Sequence, residues 1–274
     1  MRGQSLYSPP RMTKEAATDH STAPAGAQAL YRGLAAMEAV AAGARSLSAI
    51  GEAIGCTRST THRLLDALQR AGYLRRDSDG YALGARLIDL GYQARASLPL
   101  IQAARPHLES LAASTRDTVH LGVRDGSEVL YLDKLPGVRG LEMRSRIGNR
   151  MPLAVTGLGK ALLLDLDHDA LAALHAEAMR HRDPATLART RAWPAFLAGM
   201  RRYSRLGFAF DLEENEVGIR CVAAPVRDAS GAIQASVSVA SARPYMPKTR
   251  MQALVPEVLA AARAISIELG WRPR

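Results

Sequence analysis

With 274 residues, 47% hydrophobic side chains and no apolar run near the length of a membrane span, the chain can fill one large core or two ordinary ones without a bilayer. A formal charge of +10 fits either a polyanionic partner or a basic proteome. The N-terminus lacks an apolar signal core, and Cys56 and Cys221 are far apart with no metal-ligand spacing, so a soluble, cytoplasmic protein with no cofactor or metal is expected.

Residues 1–27 are rich in Ser, Thr, Pro, Ala and Gly without hydrophobic period, and are expected to form a disordered arm. A helix is expected from Gln28, with Leu30, Leu34, Met37 and Val40 turned inward. The stretch from Ser46 to Gly72 then encodes two short helices about a Gly55-Cys56 turn. Ser46 caps the first, whose inner face is Leu47, Ile50 and Ile54; Thr57 caps the second and Gly72 ends it. In the second helix Thr61, Leu64, Leu65 and Leu68 form one apolar stripe, while Arg58, Ser59, His62 and Arg63 lie on the opposite side. A plain helical hairpin shares that pattern, but the layout is that of a helix-turn-helix whose second helix enters a DNA major groove. Two strand-like runs, 73–76 and 81–83, follow about Asp77-Ser78-Asp79-Gly80 and read as a hairpin wing. The candidate DNA contacts are therefore Ser46, Thr57, Arg58, Ser59, Thr60, His62 and Arg63, with Arg75 and Arg76 of the wing near phosphates. Taken singly, either wing arginine could as well be solvated.

Residues 85–99 read as a linker helix with Leu87, Ile88, Gly91 and Ala94 on one face, broken at Pro99. From residue 100 to 274 a helix (100–114) leads into strands at 118–123, 128–132 and 140–146. Helices are expected at 157–166, 169–179 and 193–206, strands at 208–211, 219–227 and 232–240, and a last helix at 249–269. This mixture predicts an α+β domain with a mostly antiparallel sheet.

Several chemical readings of this half were weighed. Val155 to Ala161 is not a Walker A loop, because Ala154 stands where the earlier glycine is needed and Ala161 where Ser or Thr should follow the lysine. What survives is a glycine-rich helix start, either suited to a small carboxylate or simply the beginning of a helix. The acidic run from Asp211 to Glu216 lacks metal-ligand spacing, and Cys221 in an apolar strand reads as packing before nucleophile. His181-Arg182-Asp183 imitates a kinase triplet without the other kinase elements.

Four segments in order, RSTTHRLLDALQRAGYL, YALGARLIDLG, IGNRMPLAVTGLGKALL and FDLEENEVGIRCVAAPVRDASG, together resemble the IclR family of bacterial transcriptional regulators. The resemblance covers nearly the whole chain after residue 28. It implies an N-terminal winged helix-turn-helix (28–84) and a C-terminal GAF-like effector-binding domain (100–274). It also implies a homodimer or dimer of dimers on a palindromic double-stranded DNA operator, and a small carboxylate effector. Carried over by position, Gly157 and Leu158 present backbone N–H groups to the carboxylate, while Asp211, Cys221 and Ser238 line the same pocket. Two departures, Ala240 for a second serine and Ala154 for a histidine, remove polarity near the site. Arg144 and Arg146, on the strand before the glycine loop, are either extra anion contacts or, the plainer reading, solvated. Aspartate at position 158 is expected to repel the effector and spare the fold. The competing readings are an enzyme using Cys221 and Asp211, with the first domain as a regulatory appendage, and a ligand-free nucleoid-type DNA binder.

Overall fold

The structure is a computed structural model that describes residues 27–139, 143–180, 187 and 190–272. Residues 1–26 of the expected arm and the His181-Arg182-Asp183 triplet lie outside the described residues. The chain divides into two compact units, Met1–Ser97 and Leu98–Arg274.

The first unit begins with α1 (Gln28–Ala41), α2 (Leu47–Ala53) and α3 (Arg58–Arg70), continues with the hairpin β1 (Leu74–Asp77) and β2 (Gly80–Leu83), and ends with α4 (Ala85–Ala96). Its core is Ala36, Val40, Ile50, Ile54, Leu65, Leu74 and Tyr81. The expected stripe of α3 faces this core, with Thr61 and Leu65 fully buried and Leu64 and Leu68 half-buried. The stripe of α1 does so only in its second half, where Val40 is buried and Met37 packs against the core. Gly33, Ala36 and Val40 turn inward, whereas Leu30 and Leu34 are 64% and 44% exposed. Small side chains let α1 settle close to its neighbours, so its bulkier residues fall on the outer side. The α4 face differs too: Leu87 and Leu90 are half-buried, and Ile88, Gly91 and Ala94 are exposed. The wing closes on a glycine for a steric reason. Gly80 has φ +114°, and a Cβ there would lie 2.2 Å from the Arg45 carbonyl oxygen.

The second unit is one six-stranded antiparallel sheet between two helical layers. The strands are β3 (Thr118–Asp125), β4 (Glu128–Leu135), β5 (Arg150–Pro152), β6 (Ala209–Leu212), β7 (Ile219–Arg227) and β8 (Ile233–Ala242), in the order β5-β4-β3-β8-β7-β6. On one face, α5 (Pro99–Thr115) and α9 (Lys248–Glu268) bury Ile101, Leu108 and Ile265 against Leu121, Val222, Val237 and Val239. On the other, α6 (Gly157–Leu162), α7 (His168–Arg180) and α8 (Trp193–Leu206) bury Leu158, Leu163, Leu171, Phe196 and Met200 against Val129 and Ala223. The break expected at Pro99 is present: one helix ends at Ala96 and Pro99 opens the next, in the first turn of α5, where its missing N–H costs nothing.

Strand alternation decides what lies beneath α6. In β8, Ala235, Val237 and Val239 go to the α5/α9 core, which leaves Ser236, Ser238 and Ala240 on the opposite face. The strand expected at 140–146 is absent from its described part: residues 143–149 run without regular structure, and the strand beside β4 begins only at Arg150, next to a backbone hydrogen-bond pair between Tyr131 and Gly148/Asn149. Alternation in this segment still puts Met143 inward and Arg144 and Arg146 outward.

Candidate functional site

The first unit presents a polar helix start. The Thr57 hydroxyl caps α3 by accepting from the Thr60 N–H at 3.4 Å, and it also meets the Thr60 and Ser59 hydroxyls at 3.0 and 3.3 Å. Ser46 caps α2, accepting from the Ala49 N–H at 3.1 Å. These caps fix the two helix starts and leave Arg58, Ser59, His62 and Arg63 exposed on one side of α3. Arg58 and Arg63 have no carboxylate partner among the described residues, while Arg75 pairs with Asp77 at 2.5 Å and Arg76 stacks 5.6 Å from the Tyr81 ring centre. The wing is thus a rigid basic edge, and α3 supplies the unpaired guanidinium groups suited to base edges. If the wing touches only phosphates, removing Arg75 and Arg76 together will weaken binding to every duplex alike. The slope of log affinity against log salt should fall by about one per arginine. Titrations of operator and random duplex at several salt concentrations measure both effects.

In the second unit, five residues from four separate positions in the sequence converge. Gly157, Leu158, Asp211, Cys221 and Ser238 line one cavity of about 50 Å³, together with His120, Tyr131, Ser145, Thr156, Glu216 and Ala240 among others. Register explains the convergence: Asp211 pairs with Cys221, Cys221 with Ala240, and Ser238 with both Ala223 and His120. Thr156 caps α6 by accepting from the Gly159 N–H at 2.9 Å, and this aims the helix start at the sheet. Position 157 must be glycine, because a Cβ there would lie 2.2 Å from the Cys221 sulfur.

Several expectations change here. The Leu158 side chain is buried in the α6–α8 core, so Leu158→Asp would bury a carboxylate among leucines and would not spare the fold. Arg144 and Arg146 face solvent and do not line the cavity; Arg144 comes near Glu216, at 3.9 Å. Ala240 does line it, whereas Ala154 is packed in the core away from it. Sequence reading also missed a buried ionic cluster. Lys160 donates to Glu214 Oε1 at 2.7 Å and to the Phe210 carbonyl at 3.0 Å, and Arg191 reaches the same Glu214 oxygen at 3.1 Å. The GK pair was the only signal, and it pointed to phosphate.

The cavity is electrostatically unusual. Burial pushes the Asp211 carboxyl up to about 6, opposed by Lys160 and reinforced by Glu214. Burial, with Asp211 beside it, pushes the Cys221 thiol up to about 12, which leaves it protonated and a poor nucleophile. Burial, with Lys134 nearby, holds the His120 imidazole down to about 3, hence neutral. Because the folded Asp211 pKa is raised, its contribution favours the fold below the usual carboxylate pKa of 3.8 and is lost as pH rises toward about 6. Asp211→Asn removes that loss. The melting-temperature difference, variant minus wild type, should grow from pH 4 to 6.5 and then level; a pH-independent difference would place Asp211 in contact with water.

A winged helix-turn-helix carried on one chain with an α+β unit that encloses a polar cavity defines a class of two-domain transcriptional regulators. Within that class, the family model described as "Bacterial transcriptional regulator IclR C-terminal" matches residues 92–267 and the "IclR helix-turn-helix domain" matches residues 29–78, so the chain belongs to the IclR family. It is 32% identical over 257 residues to the DNA-binding transcriptional repressor YiaJ of Escherichia coli K12, covering 92% of this chain and 91% of that one. It is 34% identical over 226 residues to the regulator XynR of the same organism, covering 81% and 88%. Among solved structures, a putative transcriptional regulator from Rhodococcus sp. RHA1 superposes with TM-score 0.78 at 29% identity, over 88% of this chain and 98% of that one. An IclR homologue from Microbacterium hydrocarbonoxydans complexed with 4-hydroxybenzoate gives 0.74 at 26%, with the same coverage. The relatives are transcriptional regulators, not enzymes, and this chain is a DNA-binding regulator.

Proposed function

We propose that this protein regulates a catabolic operon in the cytoplasm in response to a small organic acid bound in the α6 cavity. The observation that carries the reading is the convergence of Gly157, Leu158, Asp211, Cys221 and Ser238 on one cavity at a helix start. The bound 4-hydroxybenzoate in a relative agrees with it. The acid's carboxylate accepts from backbone N–H groups at that helix start, where the dipole favours negative charge. Asp211 and Ser238 orient the remainder. On the DNA side, Arg58, Ser59, His62 and Arg63 read bases, Arg75 and Arg76 hold phosphates, and the residues 85–99 act as linker. The acid acts only by binding the DNA-competent and DNA-incompetent arrangements with different affinity.

The operator is a palindromic double-stranded site, and the reader is a homodimer or a dimer of dimers. Leu30, Tyr31 and Leu34 on α1 and Ile88 and Tyr92 on α4 are large exposed apolar side chains within the first unit, Ile88 at 77% and Tyr92 at 74%. A second copy is the partner that such faces fit. The test measures calorimetry of the protein with acids of the pathway encoded beside its gene, and operator binding with and without each acid. An acid that binds and changes operator affinity supports the reading. Unchanged operator affinity with every acid that binds would sink it, and sedimentation of Ile88→Glu as an intact dimer would sink the assignment of the dimer face.

A further inference from the structure

Resting on the reading of the cavity as an acid-binding site, we infer that Tyr131, backed by His120, is the specificity-determining donor that selects effectors bearing a second oxygen. The effectors it selects are small hydroxy- or oxo-monocarboxylates. Among the described residues no lysine or arginine lines the cavity, while two carboxyl groups, Asp211 and Glu216, do. A second carboxylate on the ligand would meet those groups with no cation to offset them, so the cavity favours a single charge and neutral polar groups. Tyr131 is the neutral donor placed for that role. Its backbone is fastened on both sides: its N–H donates to the Asn149 carbonyl at 3.0 Å, and its carbonyl accepts from the Gly148 N–H at 2.8 Å. Its ring rests on the edge of His120, with centroids 5.3 Å apart at 88°. His120 is locked in turn, with Nε2 2.8 Å from the Ser145 hydroxyl, and Lys134 holds the covering segment by donating to the Met143 and Ser145 carbonyls at 2.8 and 2.7 Å. Burial, with Cys221, Asp211 and Glu216 nearby, raises the phenol pKa further and keeps the hydroxyl a donor.

A donor held this way penalises a ligand that lacks the matching oxygen, because such a ligand displaces water from the hydroxyl without replacing its hydrogen bond. The full-length protein is titrated calorimetrically with lactate against propionate and with 4-hydroxybenzoate against benzoate. Wild type should prefer the oxygenated member of at least one pair by about tenfold. Tyr131→Phe should erase that preference while leaving the affinity of the parent acid, the melting temperature and operator binding unchanged. A preference that survives in Tyr131→Phe, or equal binding within both pairs, overturns the role of Tyr131 while the acid-binding reading stands. If none of the four acids binds, the acid-binding reading fails and this inference falls with it.

Discussion

Replacing Lys160 by methionine will lower the stability of the second unit by about 3 kcal/mol, the low end of what breaking a buried ion pair costs. Lys160 and Glu214 are both almost fully buried, and their contact at 2.7 Å neutralises a carboxylate whose other oxygen, Oε2, is buried without a hydrogen-bond partner among the described residues. Methionine keeps the volume of the lysine stem within α6, so the loss reads the charge and not a cavity. Arg191 still reaches Glu214 Oε1 from a more exposed position, which keeps the loss at the low end. The double variant Lys160→Met/Glu214→Met should recover most of the loss, since no buried charge is left uncompensated. Urea unfolding of the two single variants and the double completes the cycle. Single variants as stable as wild type would mean that water reaches the pair. Lys160 also opposes the rise of the Asp211 pKa, so in Lys160→Met the pH at which Asp211 loses its proton should move upward.

What the sequence revealed, and what it hid, follows from the range of the interactions involved. The hydrophobic period of α3, its Thr57 cap and the Asp-Gly wing turn are local, and the structure places them where spacing implied. The strands β7 and β8 are long apolar runs with turns at both ends, and were equally legible. The failures are tertiary. Leu30 and Leu34 look like a core stripe until the positions of α2 and α3 select the side of α1 carrying Gly33 and Ala36. The segment 143–149 alternates like a strand yet has a backbone pair only at Tyr131, through Gly148 and Asn149, because Arg150–Pro152 takes the adjoining edge of β4. In the cavity, five positions came from family resemblance and not from periodicity. His120 and Tyr131 carried no signal, and Lys160 and Glu214, beside the cavity, were weighed only separately, because no short-range pattern joins a lysine to a partner 54 residues away.

Arg63→Ala will weaken operator binding by about 1 to 3 kcal/mol, the usual worth of a bidentate arginine contact to guanine, while leaving acid binding unaltered. Arg63 is exposed on the first turns of α3, on the face opposite buried Thr61 and Leu65, and has no carboxylate partner among the described residues. It therefore loses no internal ion pair on reaching a base, and its removal should leave the melting temperature unchanged. Arg70, by contrast, is tied to Asp66 one turn away at the far end of the same helix, so Arg70→Ala is the matched control of equal charge change. A base contact and a phosphate contact are separated by the competitor duplex. If Arg63 reads a base, the variant loses affinity for the operator and keeps its affinity for random DNA. If it neutralises a phosphate, both fall together and the salt slope drops by about one. Operator affinity equal to wild type at physiological salt, with Arg70→Ala behaving the same, would remove this face of α3 from the DNA interface altogether.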